Sequence, residues 1–333
     1  MPSATGIGWK PKFAESDLTV LHDLIRDHPL SILITHIPHE LTFNDAPIPL
    51  LQATYIPLHL DISTEKLGVL RGHIARGSPH AKTLIDALYR QSLNTSQHED
   101  GDNRDEQILD HEVMIMFSSP AQSYVTPSFY THTKPLSGKV APTWFYTAVQ
   151  VYGTLKLYHS STDPSTKDFL IHQTTDLTKH AEEHLMSFPE EQAWKVSDAP
   201  KSFVDMLVPA IVGVEIEIKR IEGHTKAGQA VPALDQMGTI RGFEALGTDA
   251  GRAMASSIRR DMERNEKRVH VLREESAKGL VRGEKVKGRF GWYYPAVRRS
   301  DELKMSSADL MRYGLLVLLA LSLFLHVWLW VSR

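Results

Sequence analysis

The chain has 333 residues, of which 42% are hydrophobic and 23% charged, so it is not a disordered protein and holds one large domain or two medium ones. Its formal net charge of −3 argues against a general nucleic-acid binder, because phosphate-tracking surfaces need a basic surplus. There is no cysteine, which excludes disulfides, thiolate metal sites and cysteine nucleophiles.

The N-terminal residues MPSATGIGWKPKFAESD contain no apolar run of signal-peptide length. Residues 17–28 then place Leu18, Leu21, Leu24 and Ile25 on one helical stripe, with Ser16 or Asp17 as N-cap and Pro29 as the stop. Residues 30–36, 52–61 and 67–77 read as strands, and Pro57 marks an edge or a bulge in the second. Residues 80–91 are helical. Residues 96–107 form a polar, acidic loop without core-forming side chains. Strands follow at 112–118 and 146–158, and Gly153 hints at a bulge or bend in the latter. A helix spans 166–185, a short helix opens the segment 200–223, and an alternating strand runs from Ile211 to Ile221. Residues 249–275 form a polar helix of good propensity.

Residues 278–304 are rich in Lys and Arg and read as a basic tether. Residues 314–331, GLLVLLALSLFLHVWLWV, form an apolar run that Tyr313 can extend. A bilayer core needs roughly 20 such residues. Trp328 and Trp330 stand where an aromatic belt would, between Arg312 and Arg333. The expectation is a transmembrane tail anchor over 313–331, with the domain facing the cytosol from the endoplasmic reticulum or the mitochondrial outer membrane. A buried core helix is the alternative.

Strands do not alternate regularly with helices, as a doubly wound sheet requires. The pattern predicts an α+β, mainly β fold: a barrel with peripheral helices. No G-x-G-x-x-G and no P-loop occurs.

Inside residues 124–146, YVTPSFYTHTKPLSGKVAPTWFY, the chain repeats itself. Val125-Thr126-Pro127-Ser128-Phe129 is echoed by Val140-Ala141-Pro142-Thr143-Trp144, and the copies close on Tyr130 and Tyr146. A proline at a strand end, a hydroxyl beside it and an aromatic after it could together hold a flat, polar-edged ring. The plainer reading is two strand ends carrying core aromatics. Upstream, RGHIARGSPHAK gathers Arg71, His73, Arg76 and Ser78; Arg71 and His73 share a strand face. Arginine suits a phosphate, although each of these residues can equally be a solvated surface group. His180 and His184 have a metal-compatible spacing but no evident third ligand, so they read as structural.

The segments HIARGSPHAK, VMIMFSSPAQSYVTPSFY, KVAPTWFYTAVQVYG, AIVGVEIEIKRIEGHTKAGQ and DQMGTIRGF occur in an order that resembles the PaiB-like proteins, also called FMN-binding negative transcriptional regulators. The resemblance covers roughly residues 9–265; residues 266–311 would then be a helical and basic tether. It implies an FMN-binding split β-barrel, a homodimer and FMN as cofactor. It also implies a redox or regulatory role, the alternative being a scaffold that has lost its flavin. Carried over by motif, the cofactor-binding candidates are His73, Arg76, Tyr124, Thr126, Ser128, Tyr130, Thr143, Trp144, Lys226 and Gln229; Arg71 and Ser78 join them as candidates from the RGHIARGSPHAK segment itself. The chain departs from the family pattern at Ser78, Phe145, Gly228 and Ala230, where the family usually carries asparagine, asparagine, serine and asparagine. No substrate, catalytic acid or base follows from these residues, and His73 and Tyr130 are the first to test.

Overall fold

The computed structural model describes residues 11–63, 65–95 and 107–277. Six strands form the body: β1 (Leu30–His36), β2 (Leu51–Asp61), β3 (Val69–Ala75), β4 (Ile108–Ser118), β5 (Thr143–Tyr158) and β6 (Ile211–Lys226). Their lateral order is β6-β3-β2-β1-β4-β5, and β5 pairs with β6 to close the ring. Every pairing is antiparallel. This is a six-stranded barrel with peripheral helices, the architecture of a split barrel.

Alternation of apolar side chains fixes which face is inside. Leu33, Ile56, Leu58, Leu70, Ile115, Val151, Leu155, Val214 and Ile216 are fully buried in one core. Helix α1 (Leu18–Asp27) adds Leu21 and Ile25 to it, and the Asp17 carboxylate caps the helix by accepting from Thr19 N at 3.0 Å. Helix α2 (Pro79–Thr95) adds Ala81, Leu84 and Leu88.

Two breaks in the ladders explain the sequence signals at Pro57 and Gly153. Up to Pro57, β2 pairs with β1; from Leu58 it pairs with β3. Pro57 therefore sits where the strand changes partner, and its missing N–H costs the barrel little there. Opposite Gly153, β6 carries one extra residue, Lys219, between Ile218 and Arg220. A Cβ on Gly153 would lie 2.2 Å from the Glu217 carbonyl oxygen, so only glycine lets the bulged strand pass. Before the bulge Val212, Val214, Ile216 and Ile218 point inward. After it Ile221 packs inward, and Arg220 stands over the Tyr152 ring at 3.7 Å on the outside.

A second core joins the segment 121–145 to helices α5 (Ala233–Ala245) and α6 (Asp249–Ala277), numbered after α3 (Pro164–His180) and α4 (Lys201–Leu207). Val125, Tyr130, Phe145, Ile240, Phe243, Met254 and Ile258 are buried in it. Helix α5 was not expected from the sequence, because Gly238 and Gly242 lower its propensity. The packing needs them: a Cβ on Gly238 would lie 2.4 Å from the Phe129 carbonyl oxygen, and one on Gly242 2.3 Å from the Phe129 ring. Buried Asp235 on the same helix accepts from His132 N at 2.8 Å and from the Thr133 N–H and hydroxyl. Burial works to raise its pKa, yet Thr133 and His132 together hold it below the usual carboxylate value.

Helix α3 is capped by Asp163 and ends in a π-helical turn, Ala181–Leu185. Helix α6 runs unbroken across residue 265, where the tether was expected to begin. Most of that tether, the acidic stretch 96–106 and the apolar run 313–331 lie outside the described residues. The membrane localisation is corrected here: among the described residues no helix is long and apolar enough to cross a membrane.

Candidate functional site

The twelve candidate residues separate into two groups at opposite ends of β6. Arg76 meets β6 at Ile211, and Lys226 ends it. Fifteen residue steps lie between them, roughly 50 Å of strand at about 3.3 Å per residue.

The first group is held by the protein itself. Arg71 donates to Glu215 at 2.9 Å and ion-pairs with Asp61. The Ser63 hydroxyl and N–H, with Arg71 in support, bring Asp61 down to about 2. His73 Nδ1 meets the Gln173 amide of α3 at 2.9 Å, and burial lowers its pKa, so it is neutral near pH 7. Ser78 Oγ accepts from Ala81 N at 3.2 Å in the first turn of α2. Arg76 donates to three carbonyl oxygens, those of Pro209 at 2.7 Å, His159 at 2.8 Å and Ile211 at 3.1 Å.

The second group stands on the outer face and at its margin. Tyr124 and Trp144 face each other edge-on, with centroids 6.1 Å apart, and are 47% and 59% exposed. Such exposure of two large aromatics leaves ring faces available for stacking. Lys226 donates to the Thr143 hydroxyl. The next aromatic outward on β5, Tyr146, stacks on His224 at 5.2 Å. Thr126 accepts from Ser128 N at 3.3 Å, and Lys134 donates to Ser128 Oγ at 3.3 Å. Gln229 braces its own loop, accepting from Ala227 N at 2.7 Å and donating to the Thr225 carbonyl. Tyr130 is only 5% exposed, within the second core. The segment that carries the repeat has both buried and exposed side chains. Val125, Tyr130 and Phe145 are core; Tyr124 and Trp144 are surface.

Two features went unseen in the sequence. One is a buried polar network under α2: the His80 ring nitrogens meet the hydroxyls of Thr54 at 2.7 Å and Thr35 at 2.9 Å, and Gln52 donates to Thr83 at 2.9 Å. The periodicity of 80–91 gave the helix but not that its first residue is buried. The other is an apolar outer face. Ile32 and Ile34 of β1 lie beside Tyr55 and Ala53 of β2 and beside Met116 and Met114 of β4. Leu51 and Tyr55 are 64% and 71% exposed. Strand alternation gives this face, but only the lateral order shows that its apolar residues adjoin. His180 and His184 are structural: each donates to α1, to the Arg26 carbonyl at 2.7 Å and to Asp27 at 2.8 Å. Among the described residues no group of three His, Asp or Glu could hold a metal.

A six-stranded antiparallel barrel with peripheral helices fits a split barrel, and one end of it carries exposed aromatics, hydroxyls and a lysine. The chain belongs to the family described as "Putative FMN-binding domain", which it matches over residues 9–220. An uncharacterized protein of Emericella nidulans is 42% identical over 260 residues, 77% of this chain and 97% of the relative. One from Aspergillus fumigatus is 40% identical over 258 residues, 74% of this chain and 94% of the relative. Among solved structures, the FAD and heme binding protein from Mycobacterium smegmatis matches at 12% identity and a TM-score of 0.34, covering 67% of this chain and 78% of that one. A flavocytochrome from Azotobacter vinelandii matches at 10% identity and a TM-score of 0.34, covering 68% and 74%. At these scores the structural likeness carries no argument. FMN is the cofactor that the family membership supports. The donor set at the Tyr124–Trp144 end fits it: flat apolar faces for the ring system, hydroxyls for its polar edges and a cation for its phosphate.

Proposed function

We propose that this protein is an FMN-binding split-barrel protein that holds the flavin against Tyr124, Thr143, Trp144 and Lys226, and that it does so as a homodimer. The exposed aromatic pair beside a lysine is the observation that carries the flavin reading. The apolar outer face carries the second part: its side chains on β1, β2 and β4 continue along β5 through Tyr152 and Gln150 toward Trp144, so a second copy seated there would lie beside the flavin patch. Bound FMN supplies hydride or single-electron transfer. The chain's own residues bind and orient the ring, and the barrel wall keeps water from one side of it. Neither His73, tied to Gln173, nor buried Tyr130 offers a proton to a ligand on that face. The transcriptional role in the name of the resembling family is not part of this proposal, since a net charge of −3 has the wrong sign for tracking DNA phosphates.

Flavin fluorescence during titration of the full-length protein tests the reading. FMN binds saturably to the wild type. Trp144→Ala weakens FMN and riboflavin alike, about tenfold for a lost aromatic stack of roughly 1–1.5 kcal/mol. Lys226→Gln weakens FMN but not riboflavin, which lacks the phosphate. If neither substitution changes FMN affinity, the flavin does not sit here.

A further inference from the structure

The flavin patch is bordered by residues 11–15, which no motif singled out. The short strand Ala14–Glu15 pairs with β6 at His224 and Gly223, just before Lys226. The approach is close: a Cβ on Gly223 would lie 2.2 Å from the Leu21 side chain and 3.0 Å from that of Glu15. Glycine at this point lets α1 and the segment leading into it lie directly against the strand. The N-terminal segment is thus seated on β6.

Phe13 is 8% exposed, and its ring meets that of His224 at 5.5 Å. His224 stacks in turn on Tyr146, so rings from the N-terminal segment, β6 and β5 form one continuous layer. Strand alternation puts this layer on the same face as the flavin patch. Tyr146 and Trp144 are alternate residues of β5, and Tyr146 lies opposite Lys226 in the ladder with β6.

Two cations converge on the Phe13 ring. Lys12 Nζ stands 5.1 Å from its centroid and Lys226 Nζ 5.7 Å. A ring quadrupole holds an exposed ammonium by only about 0.5–1 kcal/mol, and two ammonium groups drawn to one ring repel each other. Lys12 makes no ion pair among the described residues. The Glu15 carboxylate accepts from Ser16 N at 2.8 Å and from Asp17 N at 3.0 Å, at the start of α1. Lys226 also donates to the Thr143 hydroxyl, beside exposed Trp144. Two lysines, a hydroxyl and an exposed indole on a rigid ring layer suit a flat ligand with a doubly charged anionic end.

We propose that Lys12 is the second cation of the flavin patch and that, together with Lys226, it selects the phosphate ester of a flavin over the free flavin. The proposal rests on the flavin reading above and adds to it a specificity-determining residue. A phosphomonoester carries close to two negative charges near pH 7, so it gains from each lysine, whereas the ribityl hydroxyl of riboflavin offers neither a charge.

Fluorescence titrations of full-length Lys12→Gln with FMN and with riboflavin test it, alongside Lys12→Arg and the double variant Lys12→Gln/Lys226→Gln. Lys12 donates no hydrogen bond among the described residues, so Lys12→Gln keeps the wild-type Tm. It weakens FMN roughly fivefold, the size of an exposed charge pair, and leaves riboflavin unchanged. Lys12→Arg, which retains the charge, stays close to the wild type for both ligands. Added salt weakens FMN less in Lys12→Gln than in the wild type, because one screened pair is gone. The double variant binds FMN no more tightly than riboflavin. Unchanged FMN affinity in Lys12→Gln, with Lys226→Gln still weakening FMN, overturns the proposal and leaves the flavin patch standing. Equal weakening of FMN and riboflavin also overturns it, because Lys12 would then support the segment without meeting the phosphate. Absence of saturable FMN binding by the wild type removes the flavin reading itself, and the proposal with it.

Discussion

His80 shows how much a single buried side chain can decide. It lies 2% exposed between two threonine hydroxyls, and burial pushes its pKa down to about 4. A histidine whose folded value is below its unfolded value of about 6.5 takes up protons on unfolding. Its contribution to stability is complete above pH 6.5 and is lost as pH falls toward 4, at about 1.4 kcal/mol per pH unit at the steepest. His59 and His73 are shifted the same way by burial, so the informative quantity is a difference. Urea midpoints measured from pH 7.5 to 4.5 are expected to fall more steeply for the wild type than for His80→Gln; parallel curves would place His80 in solvent. None of this was legible in SPHAK, because a histidine in the first turn of a helix is ordinarily exposed. Arg71 is the converse. Its strand face was correctly read from alternation, but Asp61 and Glu215, which occupy its guanidinium, are 10 and 144 residues away in sequence.

At the scale of elements, propensity located what tertiary contact did not override. Helix α1, with its Asp17 cap, and the strands about Ile32, Ile115 and Val214 lie where periodicity placed them. Helix α5 escaped notice because its two glycines satisfy a neighbour rather than the helix. That makes a counterintuitive prediction. Gly238→Ala raises intrinsic helix propensity by about 1 kcal/mol, yet its Cβ would meet the Phe129 backbone oxygen at 2.4 Å. Overpacking of this kind costs about 1–3 kcal/mol, so chemical denaturation is expected to show a net loss of stability. A stabilised variant would mean that α5 can back away from the 127–131 segment.

On the scale of the whole molecule, ring closure depends on β5 meeting β6 across more than fifty intervening residues, a pairing that no local pattern announces. The apolar outer face follows from the same closure, since it exists only once β1, β2 and β4 lie side by side. Tyr55→Glu, placed at 71% exposure, should leave the fold intact and convert a dimer into a monomer in sedimentation equilibrium; a dimer that survives it associates through another surface. Lys219 has a different kind of reach. By adding one residue to β6 it puts the two halves of that strand out of phase, like a sentence whose punctuation moves every later word by one place. Inward residues are even-numbered before it and odd-numbered after it. Arg220, Glu222 and Lys226 owe their outward positions to that single interposed residue. A segment exchanged with a relative can keep the cation at the barrel's rim only if it also keeps that count.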